Sequence, residues 1–186
     1  MFDHPFCRVL AALASVLLAS GCAMQAPRYQ PSIDNVEALK ATPRSLAVGT
    51  FTVQAGTSPS IGLRGSSMHS PIGSDYAAYL ADALRQELTL AGKLDAKSTI
   101  EVSGQLLKND IAAGGFMTNS AEIEARFIVK NSGVPRFDKV KRAEMSWESS
   151  FIGAVAIPKA QQQYPLIVQK LLASLWSDAD FQASLK

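Results

Sequence analysis

In three segments between Thr99 and Ile152 apolar and polar residues alternate with a period of two, the mark of strands with one buried and one wetted face. Thr99 to Lys108 sets Ile100, Val102 and Leu106 against Glu101, Ser103 and Gln105. Ser120 to Lys130 sets Ala121, Ile123, Ala125, Phe127 and Val129 against Glu122, Glu124, Arg126 and Lys130. Val140 to Ile152 repeats the pattern, with Ala143, Met145, Trp147 and Phe151 opposing Arg142, Glu144, Ser146 and Glu148. Its phase places Trp147, Phe127 and Phe151 in the core. Asn131-Ser132-Gly133 begins the turn between the last two strands, and their charged faces offer cross-strand pairs. An earlier strand, Leu46 to Val53, is rich in β-branched and aromatic residues, and Gly49 marks a bulge where its apolar phase slips.

Two segments switch to helical spacing. Ser74 is placed to cap a helix running to Ala91, with Gly92 as its stop and Ala77, Leu80, Ala81, Leu84, Leu88 and Ala91 as its apolar stripe. Pro165 suits the first turn of a second helix carrying Ile167, Val168, Leu171, Leu172 and Leu175, and Ser177 caps a short last turn with Phe181 and Leu185. The order β-α-β-β-β-α predicts an α+β fold, a two-layer sandwich of a mostly antiparallel four-stranded sheet and two helices. Three stretches lack a period. Residues 23–44, with three prolines, read as a tether, and residues 153–163 read as a connector. Residues 54–73 hold four glycines, two prolines and five serines, so they read as a long mobile loop whose Leu63, Arg64, Ser66 and His69 form a candidate interaction site.

The N-terminus carries a different signal. Val9 to Ala19 form a nearly all-apolar run of eleven residues, too short to span a bilayer, which needs about 20, but suited to a secretory signal peptide. The sequence Ala19-Ser20-Gly21-Cys22 that closes it resembles a bacterial lipobox. That resemblance implies cleavage before Cys22 and acylation of its thiol. It divides the chain into a signal peptide at 1–21, a lipidated tether at 22–44 and a single domain at 45–186. Because Ala23 rather than Asp follows the cysteine, the resemblance also implies an outer-membrane protein facing the periplasm.

Composition narrows the chemistry. Loss of residues 1–21 removes Cys7, Arg8 and Asp3 from the 186 residues and leaves a net charge of +2 without a clustered basic surface, which argues against nucleic acid as a partner. Residues 23–186 contain no cysteine and one histidine, His69. Ser66, Ser67 and Ser70 surround that histidine without a nucleophile elbow. Asp178 and Asp180 lack the spacing of a calcium loop and suit helix capping instead. The pairs Glu122 with Glu124 and Glu144 with Glu148 sit on wetted strand faces where carboxylates stay ordinary, and Gly62-Leu63-Arg64-Gly65-Ser66 lacks a phosphate-loop lysine. The reading is therefore a protein that is not an enzyme, with no catalytic residues, no metal site and no cofactor.

With the lipobox, this element order, the Leu-rich helix closed by Ala91-Gly92, and an ending of Asp180-Phe181 and Leu185-Lys186, the chain resembles the YajG-type lipoproteins of Gram-negative bacteria. The resemblance implies a membrane protein held by a lipid on Cys22, acting as a binding or accessory module of the envelope toward a protein, polymer or lipid partner. An auxiliary lipoprotein of a lipid-transport or lipopolysaccharide-assembly complex is the alternative, and an envelope hydrolase is disfavoured by the poverty of titratable groups.

Overall fold

A computed structural model describes residues 23–73 and 75–186. Its main sheet is built from β2 (Ala47–Val53), β5 (Ile100–Ala112), β6 (Thr118–Asn131) and β7 (Val134–Glu148), in the order β2-β5-β6-β7. The last three form an antiparallel meander, while β2 runs parallel to β5. A parallel pair needs a crossover, and helix α2 (Tyr76–Leu90) lies within it. The bulge falls where Gly49 predicts it, as the β2 register shifts between Val48 and Phe51. The Ser132-Gly133 turn joins β6 and β7, both residues having positive φ.

One face of the sheet is covered by α2 and α3 (Gly153–Trp176). The buried residues of β5 and β6, including Val102, Leu106, Ile123, Ala125, Phe127 and Val129, meet the leucine stripes of both helices in one core. The stop of α2 is a Schellman turn in which Gly92, at φ +67°, turns the chain so that Lys93 N–H reaches the Leu88 carbonyl at 2.8 Å. Its start departs from the expected cap: Asp75 accepts from the Ala78 N–H, while Ser74 lies outside the described residues. A short final helix, α4 (Ala179–Ser184), is capped by Asp178 rather than by Ser177, which instead closes α3.

The α+β class and the four-stranded, mostly antiparallel sheet are as the sequence predicts. Three aperiodic stretches are not. The supposed connector is the first part of α3, whose stripe continues upstream through Ala156, Ala160 and Tyr164 at intervals of four. A proline inside a helix costs about 3 kcal/mol, so Pro165 reads as a helix start; here the burial of Tyr164, Ile167, Val168, Leu171, Leu172, Leu175 and Trp176 outweighs it. The supposed mobile loop forms the hairpin β3 (Ser60–Leu63) and β4 (Ser66–His69). The supposed tether holds strand β1 (Ala23–Gln25), which adds parallel to β4, and helix α1 (Ile33–Lys40), which packs on α2 and α3. Residues 23–44 are thus part of the folded body rather than a free spacer.

Candidate functional site

What binds residues 23–44 to the body is a buried polar and aromatic network that begins on the unassigned face of α2. Beside its leucine stripe, α2 buries Tyr76, Tyr79, Ala83 and Glu87. Glu87 is fully buried and surrounded by donors. Its Oε1 accepts from Tyr29 Oη at 2.5 Å and from Asn35 Nδ2 at 2.8 Å, and its Oε2 accepts from Trp176 Nε1 at 2.6 Å. The Asn35 amide also reaches the Gln169 carbonyl at 3.0 Å. A buried carboxylate is tolerated only when its lone pairs are met by hydrogen bonds, and these partners come from α1, the segment before it and α3.

The four tyrosines of the chain gather against this point. The Tyr164 ring lies 4.8 Å from that of Tyr76 and 5.2 Å from that of Tyr79, and Tyr29 meets Tyr79 edge-on at 6.3 Å. Tyr79 Oη donates to the Pro27 carbonyl and Tyr76 Oη to the Met68 carbonyl, both at 2.9 Å. Burial pushes all four hydroxyls well above the usual tyrosine range, so they remain donors. Strand β1 is fixed in turn: Ala23 pairs with Ser67, Gln25 with His69, and Ala26 N–H donates to the His69 carbonyl at 2.8 Å.

The residues singled out as an interaction loop take different roles. Leu63 is buried in the core, and Ser66 opens β4. His69 is exposed at the end of β4, with Nε2 3.1 Å from Ser67 Oγ, and among the described residues no carboxylate bonds its other ring nitrogen. That pair lacks the orienting third group of a nucleophilic triad. Cys22 lies outside the described residues.

Arg64 is the residue that organises a surface. It occupies the first central position of the two-residue β3–β4 turn at φ +49°, followed by Gly65 at +85°. Such a turn favours Asn or Gly, and an arginine there is strained. Its guanidinium offsets the strain by donating from Nε to the Ala113 carbonyl at 2.7 Å and from Nη2 to the Gly115 carbonyl at 2.6 Å. It also reaches the Phe151 carbonyl at 3.3 Å and Ser149 Oγ at 3.2 Å. Arg64 thereby joins the β3–β4 turn, the β5–β6 loop and the β7–α3 junction. The β5–β6 loop is tight enough to require glycine: a Cβ on Gly115 would stand 1.8 Å from the Thr118 carbonyl oxygen.

The β5–β6 loop and the β7–α3 junction present Phe116, Met117, Phe151 and Ile152 to solvent at 67%, 83%, 77% and 60% exposure, with Val155 on the first turn of α3. The Phe116 and Phe151 rings lie 5.7 Å apart. Of the eleven exposed large apolar residues among the described residues, five lie on these segments and the first turn of α3. Phe151 thus corrects its expected place in the core: β7 ends at Glu148, and the alternation that placed Phe151 inward ends with it.

The opposite end and the open sheet face are charged but internally paired. Arg126 holds Asp138 at 2.5 Å and Arg142 holds Glu122 at 2.9 Å and Glu144, while Lys108 reaches Glu122 at 2.6 Å. Lys141 and Lys139 turn instead to α4, meeting Asp178 at 2.5 and 3.3 Å, and Lys139 also meets Asp180 at 2.5 Å. The Lys141 ammonium holds the Asp178 carboxyl far below the usual range, helped by the backbone N–H groups of Asp180 and Phe181 that it caps. Asp178 is occupied as a cap and ion-pair partner, and Asp180 as an ion-pair partner. Among the described residues no helix is long and apolar enough to cross a membrane.

No family model matches the chain, and no curated protein does. Solved structures resemble it in fold. Protein XCC0632 of Xanthomonas campestris, from the family DUF330, gives a TM-score of 0.52 at 16% identity, covering 83% of this chain and 95% of that one. A candidate lipoprotein of Caulobacter crescentus gives 0.44 at 10% identity, covering 82% and 96%. The hypothetical protein CT253 of Chlamydia trachomatis gives 0.39 at 12% identity, covering 76% and 97%. The first of these shows a shared fold.

Proposed function

We propose that the chain is a lipid-anchored lipoprotein of the bacterial envelope, held at the outer membrane by Cys22 and facing the periplasm, and that it acts by binding rather than by catalysis. One observation carries this reading. The lipobox-like Ala19-Ser20-Gly21-Cys22 is followed directly in sequence by residues built into the fold, Ala23 to Gln25 pairing with Ser67 to His69. A cut before Cys22 would leave an acylated residue one peptide bond from a packed strand. The partner in this reading is an envelope protein or lipid. The Arg64-organised apolar end supports a binding role, since clustered exposed apolar side chains mark contact surfaces.

The test is metabolic labelling with a fatty-acid analogue alongside fractionation of wild type and Cys22→Ser. Label and outer-membrane recovery in wild type, both lost in the variant, support the proposal; an unlabelled wild type or an equally labelled variant refutes it. Cross-linking and purification of the acylated protein from membranes then identifies the class of partner, and recovery of a lipid transporter or an outer-membrane barrel would assign it to such a complex.

A further inference from the structure

We infer that the apolar end formed by Phe116, Met117, Phe151, Ile152 and Val155 inserts into the interface of the same bilayer that holds the lipid on Cys22. The inference rests on the lipid-anchor reading and extends it from a point of attachment to a surface.

The placement follows from strand direction. Strand β1 is parallel to β4, and its first residue, Ala23, pairs with Ser67, two residues past Gly65 of the Arg64 turn. Ala23 therefore sits at the turn end of the small sheet, where Arg64 reaches the Gly115 and Phe151 carbonyls. Cys22 is one peptide bond away. With residues 23–44 packed into the body there is no spacer to lift the domain from the membrane, so a lipid on Cys22 brings this end to the bilayer.

The chemistry of that end suits a lipid interface. Residues 111–120 and 149–158 contain no charged side chain; Asp110 and Glu148 bound them. The single charge brought among them, Arg64, is spent on carbonyls and one hydroxyl. Exposed aromatic and aliphatic side chains on a rigid tip enter roughly 5–10 Å into the headgroup and acyl boundary, and phenylalanine and isoleucine gain there what they lack in water. Lys159 lies one helical turn beyond Val155 on α3, on the face where a lysine meets headgroup phosphate. The other end of the sheet has the opposite character, with Asp138, Lys139, Asp178 and Asp180 around the β7–α4 contact. The domain is polarised along its length.

The test places a tryptophan at each end of the full chain. Phe116→Trp and Phe151→Trp report the tip, and Val134→Trp, at the far end of β7, is the control. Each protein is purified from bacterial membranes and reconstituted into phosphatidylethanolamine–phosphatidylglycerol vesicles with or without brominated acyl chains, and the emission of Trp147 and Trp176 is subtracted using wild type. The expected result is loss of most of the added emission at positions 116 and 151 on brominated lipid and none at 134. Equal insensitivity at all three positions overturns the inference. So does a tip shielded from aqueous acrylamide yet insensitive to brominated chains, which assigns it to a second copy or another protein. The anchor reading fails separately, when the purified wild type carries no acyl mass. In that event Cys22 of a Cys7→Ser chain is coupled to a maleimide lipid, and the same comparison judges the tip.

Discussion

Replacing Glu87 by glutamine tests whether residues 26–40 are held by the buried network. Every group facing the carboxylate is a donor: Tyr29 Oη, Asn35 Nδ2 and, at 3.4 Å, the Ser32 N–H on one oxygen, Trp176 Nε1 on the other. Glutamine keeps the shape but puts an amide N–H₂ on one side. With its oxygen toward Tyr29 and Asn35, the amide opposes the Trp176 N–H; turned over, it opposes the Asn35 amide. At least one buried donor is left unmet in either case. Losing a hydrogen bond to a charged acceptor costs about 1.5–3 kcal/mol, and a stranded buried donor about 1–3 kcal/mol more. The easier burial of a neutral side chain offsets part of this, so we expect a net loss of about 2–3 kcal/mol from a total of about 5–15 kcal/mol. Glu87→Ala strands three side-chain donors and leaves a cavity, and should lose about 4 kcal/mol or more. Urea titration followed by far-ultraviolet circular dichroism measures the loss. Amide exchange should place it first in residues 33–40, ahead of β6. A Glu87→Gln chain within about 0.5 kcal/mol of wild type, or one that loses protection in β6 before residues 33–40, refutes the reasoning.

Three further outcomes follow from the same contacts. Asp178→Asn keeps a good helix cap but gives up the charge that faces Lys141 and Lys139, and should destabilise at neutral pH by about 1 kcal/mol; because the folded carboxyl is held below the unfolded value of about 3.9, its contribution is complete above that pH and fades as pH falls. Wild type and variant urea midpoints should converge on acidification, and a gap that widens would contradict this. The buried tyrosines have hydroxyls raised above the unfolded value of about 10, so their stabilisation is complete below that pH and lost as pH rises through it. Absorbance at alkaline pH should show tyrosines ionising together with unfolding rather than before it. Arg64→Ala should cost about 1–3 kcal/mol and release the amides of residues 113–117 and 149–152 in exchange, while leaving α2 protected.

The sequence disclosed elements whose surroundings are simple. The meander β5-β6-β7 has one dry face and one wet face, so its alternation is legible, and the leucine stripe of α2 is legible for the same reason. What stayed hidden was burial on a second side. Glu87 reads as a surface glutamate because nothing local shows that Tyr29, Asn35 and Trp176 converge on it from up to 89 residues away. The 23–44 segment reads as a spacer because its prolines break periodicity, although Tyr29, Val36 and Leu39 are buried. The β3–β4 hairpin lacks the Asn-Gly signal, since its turn is Arg64-Gly65, and its strands have only four residues each. Of the residues expected at an interaction site, Arg64 is the one that organises the exposed apolar end, and the apolar side chains it brings together lie elsewhere in sequence. The uncharged stretches 111–120 and 149–158 were the available clue, and the false phase of Phe151 concealed it.

The most direct measurement is the intact mass and N-terminal peptide mass of the protein extracted from bacterial membranes. We expect a chain that begins at Cys22 and carries covalent acyl chains on that residue, with residues 1–21 absent. A chain that retains residues 1–21 with a free Cys22, or that begins elsewhere without acyl mass, contradicts it.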